Sequence, residues 1–277
     1  SGQPSIGHYI KKILMVSDND AFNRLYEFIG QKEFNDAMRG KGFNKTRMSH
    51  RLEIFLNQEE NAHTNPLRFV SGDSLIYSQA MAFNETRIQS EVPIPLGKAH
   101  YSEDKKIDTP MNFQFKNFFP LEEQHELLKS LFFEPYSRFN LTEEDRKFIW
   151  KYMSQLPSES TYPDYSQYDD HYVKFFMFGD GSSKIPDHIR VFNKVGDAYG
   201  FLIDNAYIVD FKNNIEFLIS AVIYVNADET LNNGQYEYDE KGLPFFAKLG
   251  QLIYNYELEH KNDIVPNLSH LKLQYDN

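Results

Sequence analysis

The chain has 277 residues and a net charge of −11, and its residues are 41% hydrophobic, 25% charged and 16% aromatic. This composition is typical of a globular protein with a sizeable core, and it argues against disorder. The acidic balance argues against a nucleic-acid binder, which needs a basic face. No apolar run of about 18 residues predicts a membrane span, and the absence of cysteine excludes disulfides and thiol catalysis.

Helical periodicity dominates the first third of the chain. The apolar spacing predicts helices over about 6–14, 21–28 and 31–39. The string Ser17-Asp18-Asn19 therefore falls on a short connection between two helices, where capping of a helix N-terminus is its ordinary role. Residues 62–117 are rich in proline and glycine and predict an irregular insertion, with short β-like runs suited to a hairpin.

The second half changes from helices to strands. Two further helices are predicted over about 121–133 and 142–153. A loop rich in Tyr, Ser, Asp and Pro follows them over 157–170. Strands are predicted over 171–179, 189–196, 199–211 and 215–226, with a turn at 212–214. The last of these is almost continuously apolar, which predicts burial on both faces. A closing helix, Leu243–His260, presents one apolar face made of Phe246, Leu249, Leu252, Ile253 and Tyr256.

This order of elements predicts an α+β fold. We expect a mostly helical region over 1–170, which includes the insertion, and an antiparallel sheet with a C-terminal helix over 171–277.

Three short polar sequence strings within these elements indicate a catalytic function. They are Ser17-Asp18-Asn19, the R-x-E-x-x-L-N string from Arg51 to Asn57, and Lys194-Val195-Gly196 followed by Asp197. Each string is weak evidence alone. Their order, and the step of 36 residues (53 − 17) from Ser17 to Glu53, make the set much more specific.

This ordered set resembles the class A β-lactamases, within the penicillin-recognising serine hydrolases. Those enzymes carry S-x-x-K, S-D-N, a loop glutamate and K-[TS]-G in that order. The resemblance covers most of the chain, and it implies a β-lactamase/transpeptidase-like fold that is incomplete at the N-terminus. It also implies an exported bacterial enzyme, periplasmic or secreted, that needs no cofactor and is associated with antibiotic resistance.

The resemblance assigns roles to the first two strings. Ser17 would relay a proton to the leaving nitrogen, Asn19 would bind the acyl-amide of the substrate, and Asp18 would pin the loop. Glu53 would be the general base that activates the deacylating water, and Asn57 would orient that water.

The third string and the loop arginine also take roles from the resemblance. Lys194 would attract the carboxylate of the substrate, and Val195 and Gly196 would line the substrate-binding strand. Asp197 would donate its backbone N–H to an oxyanion hole. Arg51 would hold the glutamate loop through an ion pair whose partner the sequence does not identify.

The sequence departs from the family pattern at three points. Strings of the form S-x-x-K occur only at 102–105 and 269–272, after S-D-N and so in the wrong order. We therefore expect the nucleophile, and an export signal, on a segment that precedes residue 1 and associates with this chain, and we expect residues 1–277 alone to be inactive. Val195 replaces the hydroxyl residue of K-[TS]-G and cannot hydrogen-bond a carboxylate. The stretch from Glu53 to Lys194 is also unusually long.

Three functions follow, and none of them involves a nucleic acid; for the two enzymes among them the substrate would be a small β-lactam or a cell-wall peptide. A β-lactamase-related hydrolase fits best. A cell-wall D,D-peptidase or transpeptidase is disfavoured by Glu53 with Asn57, because such enzymes generally lack a deacylation base. A non-catalytic descendant that binds peptidoglycan or a partner is favoured by Val195 and the long insertions. No metal site is predicted, since the histidines lack the spacing of metal ligands; five of them are His63, His100, His125, His171 and His188.

Overall fold

The computed structural model describes residues 4–260 and 264–276. Within them the α-helices are α1 Ile6–Val16, α2 Asn19–Ile29, α3 Gln31–Gly40, α4 Gln58–Ala62, α5 Leu121–Phe132, α6 Glu143–Ser154 and α7 Leu243–Glu259. The short strands are β1 His63–Thr64, β2 Leu67–Ser71, β3 Ser74–Gln79, β4 Ala82–Phe83, β5 Pro95–Leu96, β6 Ala99–Ser102, β7 Lys105–Ile107, β8 Met111–Asn112 and β12 Thr230–Leu231. The long strands are β9 Ile189–Ala198, β10 Phe201–Asp210 and β11 Ile215–Tyr224.

The first two helices meet at the S-D-N string, as predicted. Helix α1 ends because Ser17 adopts a left-handed conformation with φ 55°, and its N–H donates to Ile13 O at 3.1 Å. Helix α2 begins at once, since the Asp18 carboxylate caps it by accepting from Ala21 N at 2.7 Å. The turn that carries the motif is thus fixed by helix capping on both sides.

The insertion folds into several two- and three-stranded pieces. Strands β2 and β3 form an antiparallel hairpin, which confirms the hairpin suggested for this region. Strand β6 pairs with β7 in a second hairpin and with β12 from the far end of the chain. The insertion is therefore tied to the second half of the protein by backbone pairing.

The three long strands form an antiparallel sheet in the order β11-β10-β9, with Lys212–Asn214 in the turn between β10 and β11. An apolar core lies on each face of the sheet. One contains Val195 and Phe246 and packs against α7, and the other contains Phe192 and Trp150 and packs against α5 and α6. Helices and antiparallel sheet together give the α+β fold expected from the sequence.

Three predictions about the second half are wrong. Residues 171–179 form successive turns rather than a strand, because residues 173–178 are buried from all sides and so do not alternate between two faces. The strand buried on both faces is β10, whereas β11 lies at an edge of the sheet.

The third wrong prediction concerns the buried face of α7. That face contains Phe246, Gly250 and Tyr254, whereas Leu252 is 65% exposed. Gly250 approaches the backbone so closely that an added Cβ would lie 2.4 Å from Met177 N. A pattern of large apolar residues alone does not reveal this close packing.

Candidate active site

Ser17 and Lys194 come into direct contact across the fold. Lys194 Nζ donates to Ser17 Oγ at 2.7 Å, although 177 positions separate the two residues in the chain. Alternation along β9 places Lys194 on the same sheet face as Phe192, toward the helical half. The capped turn between α1 and α2 presents Ser17 to that face, so the first and third strings meet.

The Lys194 side chain is only partly exposed to solvent. Its Nζ also donates to Val195 O at 2.6 Å. Burial lowers the pKa of Lys194 to about 8, while the carboxylates of Asp204 and Asp197 act in the opposite direction. The side chain is therefore mainly cationic at pH 7 and loses its charge as the pH rises through about 8.

Asp18 and Asn19 complete the S-D-N turn. Besides capping α2, Asp18 forms an ion pair of 2.7 Å with Lys12. Burial acts to raise the pKa of Asp18, but the hydrogen bonds from Lys12 and Ala21 hold it below its ordinary value. Asn19 is the first residue of α2 and is partly buried. Within the described residues its side chain forms no hydrogen bond, so its amide is free to contact a ligand.

Arg51 fixes the loop that carries Glu53. Its side chain is only 5% exposed and forms an ion pair with Glu27 of α2, the partner that the sequence does not identify. The guanidinium also donates to His63 O at 2.6 Å and lies 4.7 Å from the centroid of the Tyr26 ring. These contacts hold the start of the loop against α2.

Glu53 and Asp197 lie near enough to interact electrostatically. Desolvation raises the pKa of Asp197, Lys194 lowers it, and the negative charge of Glu53 raises it further. Glu53 itself is exposed and has a φ of 55°, a strained conformation for a residue other than glycine. The second and third strings therefore lie near enough for their charges to influence each other.

Asn57 lies at the end of the glutamate loop. Its side-chain oxygen caps α4 by accepting from Glu60 N at 2.9 Å, and the Glu60 carboxylate accepts from Asn57 N in return. Among the described residues its Nδ2 forms no hydrogen bond. The amide nitrogen is therefore free to bind a water or a ligand.

The remainder of the third string occupies the outer part of β9. Val195 is 6% exposed and its side chain packs in the α7 core, on the face opposite to Lys194. Gly196 pairs with Ile203, and Asp197 pairs with Leu202. In the part of the chain that the structure describes, no strand pairs with the other edge of β9. To donate a hydrogen bond to an oxyanion, the backbone N–H of Asp197 would have to point toward that edge.

The insertion supports the glutamate loop, a role that sequence reasoning missed. The Asn117 Oδ1 accepts from Ser49 N at 2.7 Å and from His50 N at 3.0 Å, and its Nδ2 donates to His50 O at 2.9 Å. One side chain thus binds three backbone groups just before Arg51. The sequence contains no motif for this contact, because its two ends lie 67 positions apart.

The tyrosine-rich loop borders the same site. The Tyr165 ring packs edge-on against Tyr168, whose ring packs at a tilt against Tyr172. Burial raises the pKa of Tyr165 to about 12 with help from the charge of Asp18, and Tyr172 is influenced in the same direction by Asp197. The row of rings therefore extends from the S-D-N turn to the end of β9. Its composition was visible in the sequence, but its position was not.

Neither S-x-x-K string has the geometry of a nucleophile helix. Ser102 and Lys105 face each other across the turn of the β6–β7 hairpin, and Ser102 is exposed. Ser269 is exposed as well, and its hydroxyl donates to Asn267 at 2.7 Å. No hydrogen bond joins either serine to Ser17 or Lys194 within the described residues.

The described residues contain neither a metal-ligand cluster nor a helix suited to a membrane. Among residues 4–260 and 264–276, no cluster of three or more histidines and carboxylates could hold a metal ion. Over the same residues, no helix combines the length and the apolar character needed to span a membrane.

Comparison with known proteins agrees with this geometry. No curated protein matches the sequence. The model of a family described as the beta-lactamase enzyme family matches residues 1–257, which covers all three strings and nearly the whole fold. The chain therefore belongs to the β-lactamase enzyme family.

Proposed function

We propose that this chain forms the substrate-binding and deacylating part of a serine β-lactamase-related hydrolase, which opens a cyclic amide through an acyl-enzyme. The contact between Lys194 and Ser17 is the observation that carries the proposal. An exported location, periplasmic or secreted, belongs to the same proposal.

The hydrogen-bonding capacities of Ser17 and Lys194 support a proton-relay role for Ser17. An ammonium group can only donate, so Ser17 Oγ must accept from Lys194. The Ser17 hydroxyl proton remains available to a leaving nitrogen. The Lys194 cation can bind the carboxylate that β-lactams carry beside the ring, and it favours loss of the hydroxyl proton as the nitrogen departs.

Deacylation is assigned to Glu53. Its side chain is exposed, and its negative charge acts on Asp197 of the third string. The unbonded Nδ2 of Asn57, four positions later, can hold the water that Glu53 deprotonates. This pairing favours a hydrolase over a transpeptidase, whose acyl-enzyme must survive until a second substrate arrives.

Binding of benzylpenicillin to residues 1–277, measured by isothermal titration calorimetry at pH 6.5, tests the proposal without requiring turnover. Lys194→Met should weaken binding by about 10–100-fold, since hydrogen bonds to charged groups contribute about 1.5–3 kcal/mol. Lys248→Met removes an exposed lysine of α7 as the matched control and should have no effect.

The pH dependence of the same titration gives a second readout. Because the pKa of Lys194 is about 8, the wild-type affinity should fall between pH 6.5 and 9.5, whereas the affinity of Lys194→Met should not. Equal affinity of Lys194→Met and wild type at pH 6.5 would refute the proposed site.

A further inference from the structure

The β2–β3 hairpin of the insertion has one face that packs on the protein and one that faces outward. On the inner face, the rings of Phe69 and Tyr77 pack edge-on against Phe28 of α2, with centroids 5.4 and 6.2 Å from its own. We call the opposite side of the ribbon the outer face. The inner face thus has a partner within the chain, and the question is what covers the outer one.

A β-bulge adds an extra apolar side chain to the outer face. Phe69 pairs with Tyr77, and the next pair is Val70 with Leu75, so Ile76 has no partner on β2. Strand alternation places Val70 and Leu75 on the outer face, because Phe69 occupies the inner one. The bulge breaks this alternation and re-aims the Ile76 side chain. All three outer residues are more than half exposed, and Ile76 is 67% exposed.

This apolar surface lies in a stretch of the chain with very little charge. Charged residues make up 25% of the whole sequence, but residues 69–83 contain only Asp73. Large exposed apolar side chains that lie together mark an interaction surface more often than an ordinary surface. Two molecules that each carry a net charge of −11 can approach each other most easily through such a patch, because few like charges meet there.

Two charges of opposite sign lie at the two ends of the outer face. Arg68 lies two positions before Val70 and on the same face, and Asp73 lies in the turn at the tip of the hairpin. Both side chains are exposed, and neither forms an ion pair among the residues that the structure describes. The cation and the anion therefore lie on opposite sides of the apolar centre.

We infer that the outer face is a contact between two copies of this chain, in which the hairpins pack face to face and antiparallel about a two-fold axis. The axis sets the apolar centre of one hairpin against the same residues of the other. It also brings Arg68 of each copy to Asp73 of the other, so that two ion pairs form. A two-fold contact requires a self-complementary surface. The opposite charges at the two ends meet that requirement and favour a second copy over an unrelated partner.

The contact is small, so we expect a weak dimer. One ribbon face buries less than the roughly 800 Å² per partner of a standard interface, and we expect a Kd on the order of 0.1 mM. Sedimentation equilibrium of the 277-residue chain, at physiological salt and from about 10 µM to about 1 mM, should show a reversible approach to twice the mass of one chain. Ile76→Ser should weaken association at least about 10-fold. Leu252→Ser on α7, where the leucine is comparably exposed, should not.

Exchange of the two charges tests the antiparallel arrangement. Arg68→Asp and Asp73→Arg each set like charges opposite each other, and each should weaken the dimer at least about 10-fold. The double variant Arg68→Asp/Asp73→Arg restores opposite charges and should associate like wild type. An equimolar mixture of the two single variants should form a heterodimer for the same reason. Both wild-type side chains are exposed, so these changes do not threaten folding.

Three results would overturn the inference. The first is a chain that remains monomeric at about 1 mM, including one that binds phosphatidylcholine vesicles through Ile76, because the outer face would then be a lipid-binding surface. The second is a dimer that Ile76→Ser leaves unchanged, since it would use another surface. The third is a double charge variant that stays monomeric, which would refute the pairing of Arg68 with Asp73.

Discussion

Lys194 and Val195 are neighbours whose side chains lie on opposite faces of β9. Lys194 points toward Ser17 and the helices, whereas Val195 packs in the α7 core at 6% exposure. In K-[TS]-G the middle residue carries a hydroxyl. In this protein the valine side chain packs in the core, and the Val195 carbonyl oxygen accepts a hydrogen bond from Lys194 Nζ.

Val195→Thr should therefore destabilise the protein rather than improve the site. The change buries a hydroxyl among apolar side chains, which costs about 1–3 kcal/mol. Urea denaturation should show this loss, and Val222→Thr on the exposed part of β11 should change stability by less than about 0.5 kcal/mol. If Val195→Thr retains full stability and binds benzylpenicillin more tightly, the side chain reaches the cleft.

Individual residues of the site differ in how far the sequence could predict them. Motif order was enough to pair Ser17 with Lys194, because both strings are short and rigidly placed. It could not name Glu27 as the partner of Arg51, since an isolated glutamate on a helix has no distinguishing pattern. It also could not predict the side of the sheet on which Val195 lies.

At the level of elements, the insertion is joined to the glutamate loop by a continuous set of contacts. Arg47 and Phe118 form an isolated antiparallel β-bridge, in which Arg47 N donates to Phe118 O at 2.7 Å. The Ser49 hydroxyl donates to Phe115 O at 2.7 Å, and Asn117 binds the backbone of residues 49 and 50. The extra length thus buttresses the loop that carries Glu53.

Asn117→Ala should loosen that loop. The change leaves two backbone N–H groups and one carbonyl without their partner, and we expect a loss of about 1–3 kcal/mol in unfolding free energy. Hydrogen exchange should accelerate selectively over residues 49–57. Asn233→Ala removes an asparagine whose bonds are local to its own turn and should leave that exchange unchanged. Unaltered protection of residues 49–57 in Asn117→Ala would mean that the insertion does not support the loop.

Elements formed by local interactions were predicted well from the sequence, whereas elements formed by contacts between distant segments were not. The helices before Gly40 were predicted within a few residues because capping and periodicity are local signals. Residues 171–179 were assigned wrongly, since their turns depend on packing between the sheet and α7. The contact of Asn117 with His50 and the pairing of β6 with β12 join distant segments, so no local pattern indicates them.

At the scale of the whole molecule, one buried polar network ties the two halves together. Lys174 Nζ donates to Met153 O at 2.6 Å, at the end of α6, and to Asn193 Oδ1 at 2.7 Å on β9. Asn193 Nδ2 in turn donates to Asp204 Oδ1 at 2.9 Å on β10. All three side chains are at most 1% exposed. Burial lowers the pKa of Lys174 and raises the pKa of Asp204, while each charge stabilises the other.

Lys174→Met should be strongly destabilising, and more so at high pH. Without the cation, the pKa of Asp204 rises further above its ordinary value of 3.8, so the folded state binds the proton more tightly than the unfolded state. Stability then falls as the pH rises from about 4 through the raised pKa. We expect a loss of about 3–5 kcal/mol at pH 8.0, as for other buried charges left unpaired, and a clearly smaller loss at pH 5.5.

Urea denaturation at the two pH values measures both losses. The double variant Lys174→Met/Asp204→Asn should recover much of the loss at pH 8.0, because no buried charge remains. A loss that is equal at the two pH values, or that the second substitution does not reduce, would show that the charges of Lys174 and Asp204 are not coupled.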